Sequence, residues 1–114
     1  RRRVCELWEL ARRIREQRLR REVEGEERER REREVKRKAH LESLFQRADE
    51  VWAEAEKVAG PAKSSAYDQA AALVKELRDA YALAGRSTEF RQRLEAFRRG
   101  FVKRPALLRR LAEL

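Results

Sequence analysis

Apolar side chains recur along this chain in steps of three and four, the spacing that gathers them on one face of an α-helix. Val4, Leu7, Trp8, Ala11 and Ile14 form a first stripe. The stripe fades and returns at Leu41, Leu44, Phe45, Ala48, Val51, Trp52, Ala55 and Val58, the strongest amphipathic stretch in the chain. Gly60-Pro61 is expected to end that helix, since glycine suits the position after a helix and proline cannot continue one. Residues 61–65 read as a loop, with Ser64 or Ser65 as N-cap of the next helix. Tyr67, Ala70, Leu73, Val74, Leu77, Tyr81 and Ala84 mark that helix, and Gly85 stops it. Ser87 then serves as N-cap for a helix that turns Phe90, Leu94, Phe97 and Phe101 inward. Lys103-Arg104-Pro105 breaks the pattern. Pro105 suits the first turn of a last short helix carrying Leu107, Leu108 and Leu111. No stretch reads as a strand. The expected fold class is all-α: a long N-terminal helix, largely charged in its middle, followed by a small antiparallel bundle of three further helices.

Between the first two stripes the chain is polar all round. From Glu24 to Lys38 the only aliphatic residue is Val35. Glutamates precede bases by four residues at Glu24–Arg28, Glu26–Arg30, Glu27–Arg31, Glu29–Arg33, Glu32–Lys36 and Glu34–Lys38. Each such pair supports a helix by roughly 0.2–0.5 kcal/mol, and this order is the favourable one. Gly25 opposes it by about 1 kcal/mol and is the expected weak point or bend. One helix over residues 4–58 would run to about 80 Å at 1.5 Å per residue. The chain therefore divides into an extended Arg/Glu-rich helix, residues 1–38, and a small helical bundle, residues 39–114. Candidates for the bundle's interior are Leu44, Phe45, Val51, Trp52, Tyr67, Leu73, Leu77, Tyr81, Phe90, Leu94, Phe97 and Leu108. A core of that size is near the lower limit for independent stability, which points to a partner surface.

Composition sharpens this picture. The 114 residues are 45% charged, against the roughly 25% usual for globular chains. The net charge of +9 is unevenly spread. Residues 1–24 hold nine arginines against five glutamates, and residues 86–114 nine bases against three acids. Residues 41–60 are acidic, with two bases against five acids. Basic ends can meet nucleic acid, an anionic surface or an acidic protein, and the plainer alternative is arginine on solvated helix faces. One cysteine excludes a disulfide framework within the chain and a multi-cysteine zinc site. The longest fully apolar run, Ala70–Val74, is far too short to span a membrane. Without an initiating methionine, the chain reads as a piece of a longer protein.

Candidate chemistry is sparse. Cys5 is a lone thiol beside Arg1, Arg2 and Arg3, with no histidine nearby in sequence, and reads as a small apolar residue. His40 is the only histidine and sits where the charged stretch meets the apolar stripe. It reads as a boundary residue, since a zinc site needs more ligands. Asp49, Glu50, Glu54 and Glu56 read as a solvated acidic face. The densest basic region comprises Arg91, Arg93, Arg98, Arg99, Lys103, Arg104, Arg109 and Arg110, with Phe97 and Phe101 among them. Bases interleaved with aromatics can hold phosphates and stack on bases, although the aromatics also fit a core. The stripe Val4, Leu7, Trp8, Ala11 and Ile14 reads as a coiled-coil seam, a docking face, or a helix offered to a groove.

Residues 39–114 resemble the helical region that follows the finger in bacterial SWIM zinc-finger proteins. The resemblance rests on Tyr67-Asp68-Gln69-Ala70, on Leu77-Arg78-Asp79, on Phe90 and Leu94 with Arg98, and on Lys103-Arg104-Pro105-Ala106-Leu107-Leu108. It covers about two thirds of the chain. The finger itself, a Cys-x-Cys followed by a Cys-x-His, is absent, so no zinc ligand is implied for any residue. The resemblance implies an accessory helical module in a bacterial cytoplasm.

The expectation is a non-enzymatic helical module that binds protein or self-associates through Val4, Leu7, Trp8, Ala11 and Ile14. No nucleophile–base pair, phosphate loop or metal set stands out in the sequence. No cofactor, metal, membrane or small-molecule substrate is expected. The alternative is a basic nucleic-acid-binding accessory using Arg91, Arg98, Arg99, Lys103, Arg104, Arg109 and Arg110.

Overall fold

The computed structural model describes the backbone of residues 2–114 and the side chains of residues 4–114. Arg1 and the side chains of Arg2 and Arg3 lie outside the described residues. Five helices follow one another: α1 (Arg2–Gln46), α2 (Ala48–Ala59), α3 (Ser64–Leu83), α4 (Ser87–Arg99) and α5 (Pro105–Leu111). The protein is all-α, a long first helix followed by shorter helices that pack on one another, and no strand occurs among the described residues. Two units separate, Arg1–Arg37 and Lys38–Leu114.

The first unit is helix throughout its described residues. Its apolar residues are exposed, so its backbone ladder and its charged surface carry the helical form. Arg31 meets Glu27 at 3.6 Å, one of the pairs expected from the four-residue spacing. Arg12–Glu16 and Arg30–Glu34 approach at 4.0 and 3.9 Å in the reverse order. These pairs are highly exposed, and each adds only a few tenths of a kcal/mol. Gly25, the expected bend, lies inside the uninterrupted α1. Nothing lies within 4 Å of where its Cβ would be.

In the second unit the expected single helix through residue 58 is broken at Arg47, which gives four helices after α1 rather than three. The Arg47 amide is shared between the carbonyls of Ser43 at 3.3 Å and Leu44 at 3.1 Å. That tightening to a 3₁₀-like turn ends α1, and Val51 N–H to Arg47 C=O at 3.0 Å resumes the ladder. The apolar stripe keeps its step across the break: Leu41, Leu44, Ala48, Val51, Trp52, Ala55 and Ala59 are all buried.

Helix α3 is the hub. It packs against α2, α4 and α5. Its buried residues are Tyr67, Ala70, Val74, Leu77, Ala80 and Tyr81. Val74 rather than Leu73 lies fully inside, and in α5 Leu107 and Leu111 are fully buried while Leu108 is half-exposed. Phe45 is likewise only partly buried, its ring set edge-on to Tyr81 at 5.1 Å. Five alanines (48, 55, 59, 70 and 80) belong to the core, where their small side chains let helices approach closely. Trp52 lies at its centre, 5.9 Å from Phe90 and 5.7 Å from Phe97, ring centre to ring centre. Its indole N–H donates to the Tyr81 hydroxyl at 3.3 Å, so the one polar atom of the ring is satisfied within the core.

The helix ends differ from expectation. Lys63 and Arg86, not Ser64 or Ser65 and Ser87, precede the first turns of α3 and α4, and neither makes a side-chain cap. Ser64 instead accepts a hydrogen bond from Arg110 Nη2 at 3.0 Å, and Arg86 pairs with Glu89 at 2.9 Å. Gly60 is right-handed (φ −51°), so Pro61 rather than a left-handed glycine stops α2. Gly85 does adopt φ 72°. Arg86 N–H bonds Tyr81 C=O at 2.8 Å and Gly85 N–H bonds Ala82 C=O at 3.1 Å, the paired closure of a Schellman motif. Pro105 takes the first turn of α5 as expected.

Candidate interaction site

The first unit carries the stripe. In an α-helix each residue turns the chain by about 100°, so Leu10, Ile14, Leu7, Ala11, Val4 and Trp8, in azimuthal order, span an arc of about 160°. Glu6, Glu9, Arg12 and Arg13 fall on the other side of the same three turns. Regular helix from Arg2 onward is what sorts them. The stripe is open: Leu7 is 65% exposed, Trp8 70% and Ile14 44%. A tryptophan this exposed stands out, because large aromatic rings bury most of their surface in ordinary folded units. Cys5 is exposed on that other side, between the azimuths of Arg12 and Glu9.

Past Ile14 the same arc turns basic. Arg15 falls between the azimuths of Val4 and Trp8, Arg18 between those of Leu7 and Ala11, and Arg21 between those of Leu10 and Ile14. Glu22 is the next acid on that arc. Leu19 and Val23 lie just beyond the Trp8 edge and are exposed. Steps of three and four pick out the five-residue stripe alone; Leu10 and the basic continuation join it through the regular 100° turn of the helix.

The basic region of the second unit splits into two groups. Arg104 Nη1 donates to the carbonyls of Ala59 and Gly60, both at 2.7 Å, at the end of α2. Arg98 Nη2 donates to Leu111 C=O at 3.0 Å, near the end of α5. Arg110 donates from Nε to Asp68 at 2.6 Å, from Nη1 to Ala106 C=O at 2.8 Å, and covers the Tyr67 ring at 5.8 Å. Arg93 pairs with Asp49 at 2.9 Å and covers Trp52 at 5.8 Å. These four guanidiniums tie helices together. Arg91, Arg99, Lys103 and Arg109 are exposed. Phe97 is buried among the core aromatics and Phe101 packs at the core edge, 5.0 Å from it, under the Arg104 guanidinium. Neither ring presents an open face as a stacking platform beside the exposed bases.

Two shallow depressions mark the second unit. One, of about 290 Å³, is lined by Arg98, Arg99, Val102, Leu108 and Ala112. The other, of about 450 Å³, lies among Lys38, Glu42, Phe45, Gln46, Ala80, Leu83 and Ala84. His40 approaches Glu76 of α3 at 3.8 Å. Among the described residues no three His, Cys, Asp or Glu side chains gather as a metal site, and no helix is long and apolar enough to cross a membrane. The chain matches none of the known family models, curated proteins or solved structures.

Proposed function

We propose that the chain is a non-enzymatic helical interaction module, accessory to a larger cytoplasmic protein, that binds a protein partner or a second copy through Val4, Leu7, Trp8, Ala11 and Ile14. The observation that carries this reading is the contiguous apolar arc on α1 with Trp8 70% exposed. Exposed contiguous apolar surface of this kind marks docking faces, and tryptophan is the residue most enriched where binding energy concentrates. The accessory character rests on the resemblance of residues 39–114 to the region after the SWIM finger. The test compares the full chain with its Trp8→Asp/Ile14→Asp variant by sedimentation and by recovery of partners from its own cell extract. A dimer or a defined complex that the double variant abolishes is expected. A monomer that recovers the same proteins with and without the stripe overturns the reading.

The second reading, a nucleic-acid accessory, is favoured by the four exposed bases Arg91, Arg99, Lys103 and Arg109. Its test is anisotropy of labelled duplex DNA and single-stranded RNA at two salt concentrations. Binding that persists near physiological salt, with a slope of several phosphates, supports it; binding confined to low salt does not.

A further inference from the structure

The change along the α1 arc from apolar to basic selects the kind of partner that can cover it. A two-helix seam buries a narrow apolar line, whereas residues 4–14 present about 160° of apolar surface, which needs walls on two sides. The apolar part extends for about 15 Å, and Arg15, Arg18 and Arg21 follow directly on the same azimuths. A second copy fits poorly. A parallel copy sets these arginines against themselves, and an antiparallel copy that pairs the two stripes leaves Arg18 and Arg21 facing no residue of the partner stripe.

We propose that residues 4–21 of α1 insert into an apolar groove of a helical protein whose far end is lined by carboxylates. Trp8 is the anchor, flanked by Leu7 and Ile14, and Arg15, Arg18 and Arg21 meet the carboxylates. This is helix-in-groove recognition with charge complementarity at the end of the groove that meets Arg15, Arg18 and Arg21. The inference rests on the reading of the stripe as the interaction face.

The test titrates the full chain into two dye-labelled antiparallel helical hairpins. Both carry the same leucine-lined groove; one ends in glutamates, the other in lysines. The expected result is at least tenfold tighter binding of the glutamate-ended hairpin at low salt. The preference should shrink near 1 M salt, where the screening length is about 3 Å. Trp8→Asp should abolish binding, and Arg15→Glu/Arg18→Glu/Arg21→Glu should reverse the preference. Equal affinity for the two hairpins, lost on Trp8→Asp, overturns the acidic-groove inference and leaves the interaction module standing. So does a dimer of the chain that Trp8→Asp dissolves, with neither hairpin bound. Saturable binding to phosphatidylserine vesicles in place of either hairpin assigns the face to a lipid surface and overturns both. A monomer that binds neither hairpin, and recovers no Trp8-dependent partner, likewise overturns both.

Discussion

Arg104 reaches across 45 residues of sequence to Ala59: its Nη1 donates to the Ala59 carbonyl at 2.7 Å and shares that nitrogen with the Gly60 carbonyl. These are carbonyls that the end of α2 leaves without helical partners. The turn before α5 is thereby tied to the turn after α2. Replacing Arg104 by alanine should destabilise the second unit by about 1–3 kcal/mol, the range for a charged hydrogen bond lost at a partly buried site. Arg104→Lys should recover only part, since an ammonium lacks the planar face that covers Phe101. Urea unfolding of the three proteins checks this; a lysine variant as stable as the parent would refute the role of the stacking.

Charge reversal should separate two kinds of arginine. Arg98→Glu or Arg110→Glu removes donors to Leu111, Ala106 and Asp68 and should lower the thermal midpoint by several degrees. Arg91→Glu, Arg99→Glu and Arg109→Glu should leave the midpoint nearly unchanged. If the nucleic-acid reading holds, that exposed set should weaken RNA or DNA binding most per charge among variants that stay folded. Thermal scans run beside anisotropy titrations distinguish lost folding from lost contact.

Two glycines should respond to alanine in opposite directions. Gly85 sits at φ 72°, where a Cβ is strained, so Gly85→Ala should cost about 1 kcal/mol even though nothing crowds the site. Gly25 lies inside α1 with open space around it, so Gly25→Ala should stabilise that helix by about 1 kcal/mol. Hydrogen exchange of amides near each position reads the change. Loss of protection around residue 25 on substitution would be the contrary result.

Neighbouring leucines offer a test of which face of α5 is inward. Leu107 is fully buried, and Leu107→Ala should cost about 2–5 kcal/mol. Leu108 is half-exposed beside Val102 and Ala112, and Leu108→Ala should cost roughly 1 kcal/mol. Equal costs in urea unfolding would contradict the assigned orientation.

The helices after Gly60 and most of the core were legible in the sequence, where apolar spacing and breakers agreed. Trp52, Tyr81, Phe90, Leu94 and Phe97 fall inside as their spacing predicts, and Gly85 and Pro105 act where glycine and proline chemistry puts them. The break at Arg47 left no trace, because no glycine or proline marks it and the apolar step runs through it unchanged. The choice of Val74 over Leu73, and of Leu107 over Leu108, depends on helix rotation against neighbours, which side-chain hydrophobicity does not fix. The buried alanines were visible in spacing but light in hydropathy. Least legible were Arg98, Arg104 and Arg110. A guanidinium that ties a helix end and one that faces water are the same letter, and the carbonyls they serve lie 13 to 45 residues away or one turn back.

The division among arginines also bears on how this chain can change over time. At positions 91, 99 and 109 arginine is exposed, so as far as folding goes lysine, glutamine or serine can replace it and the position can drift. At 98, 104 and 110 the guanidinium serves particular backbone oxygens, and at 104 and 110 it also covers a ring, so a one-for-one exchange of basic residues loses part of the fit. Lineages descending from this chain should therefore hold arginine fixed at those three positions while their overall charge wanders. A count of basic residues would follow ancestry poorly; the identity of three guanidiniums would follow it well.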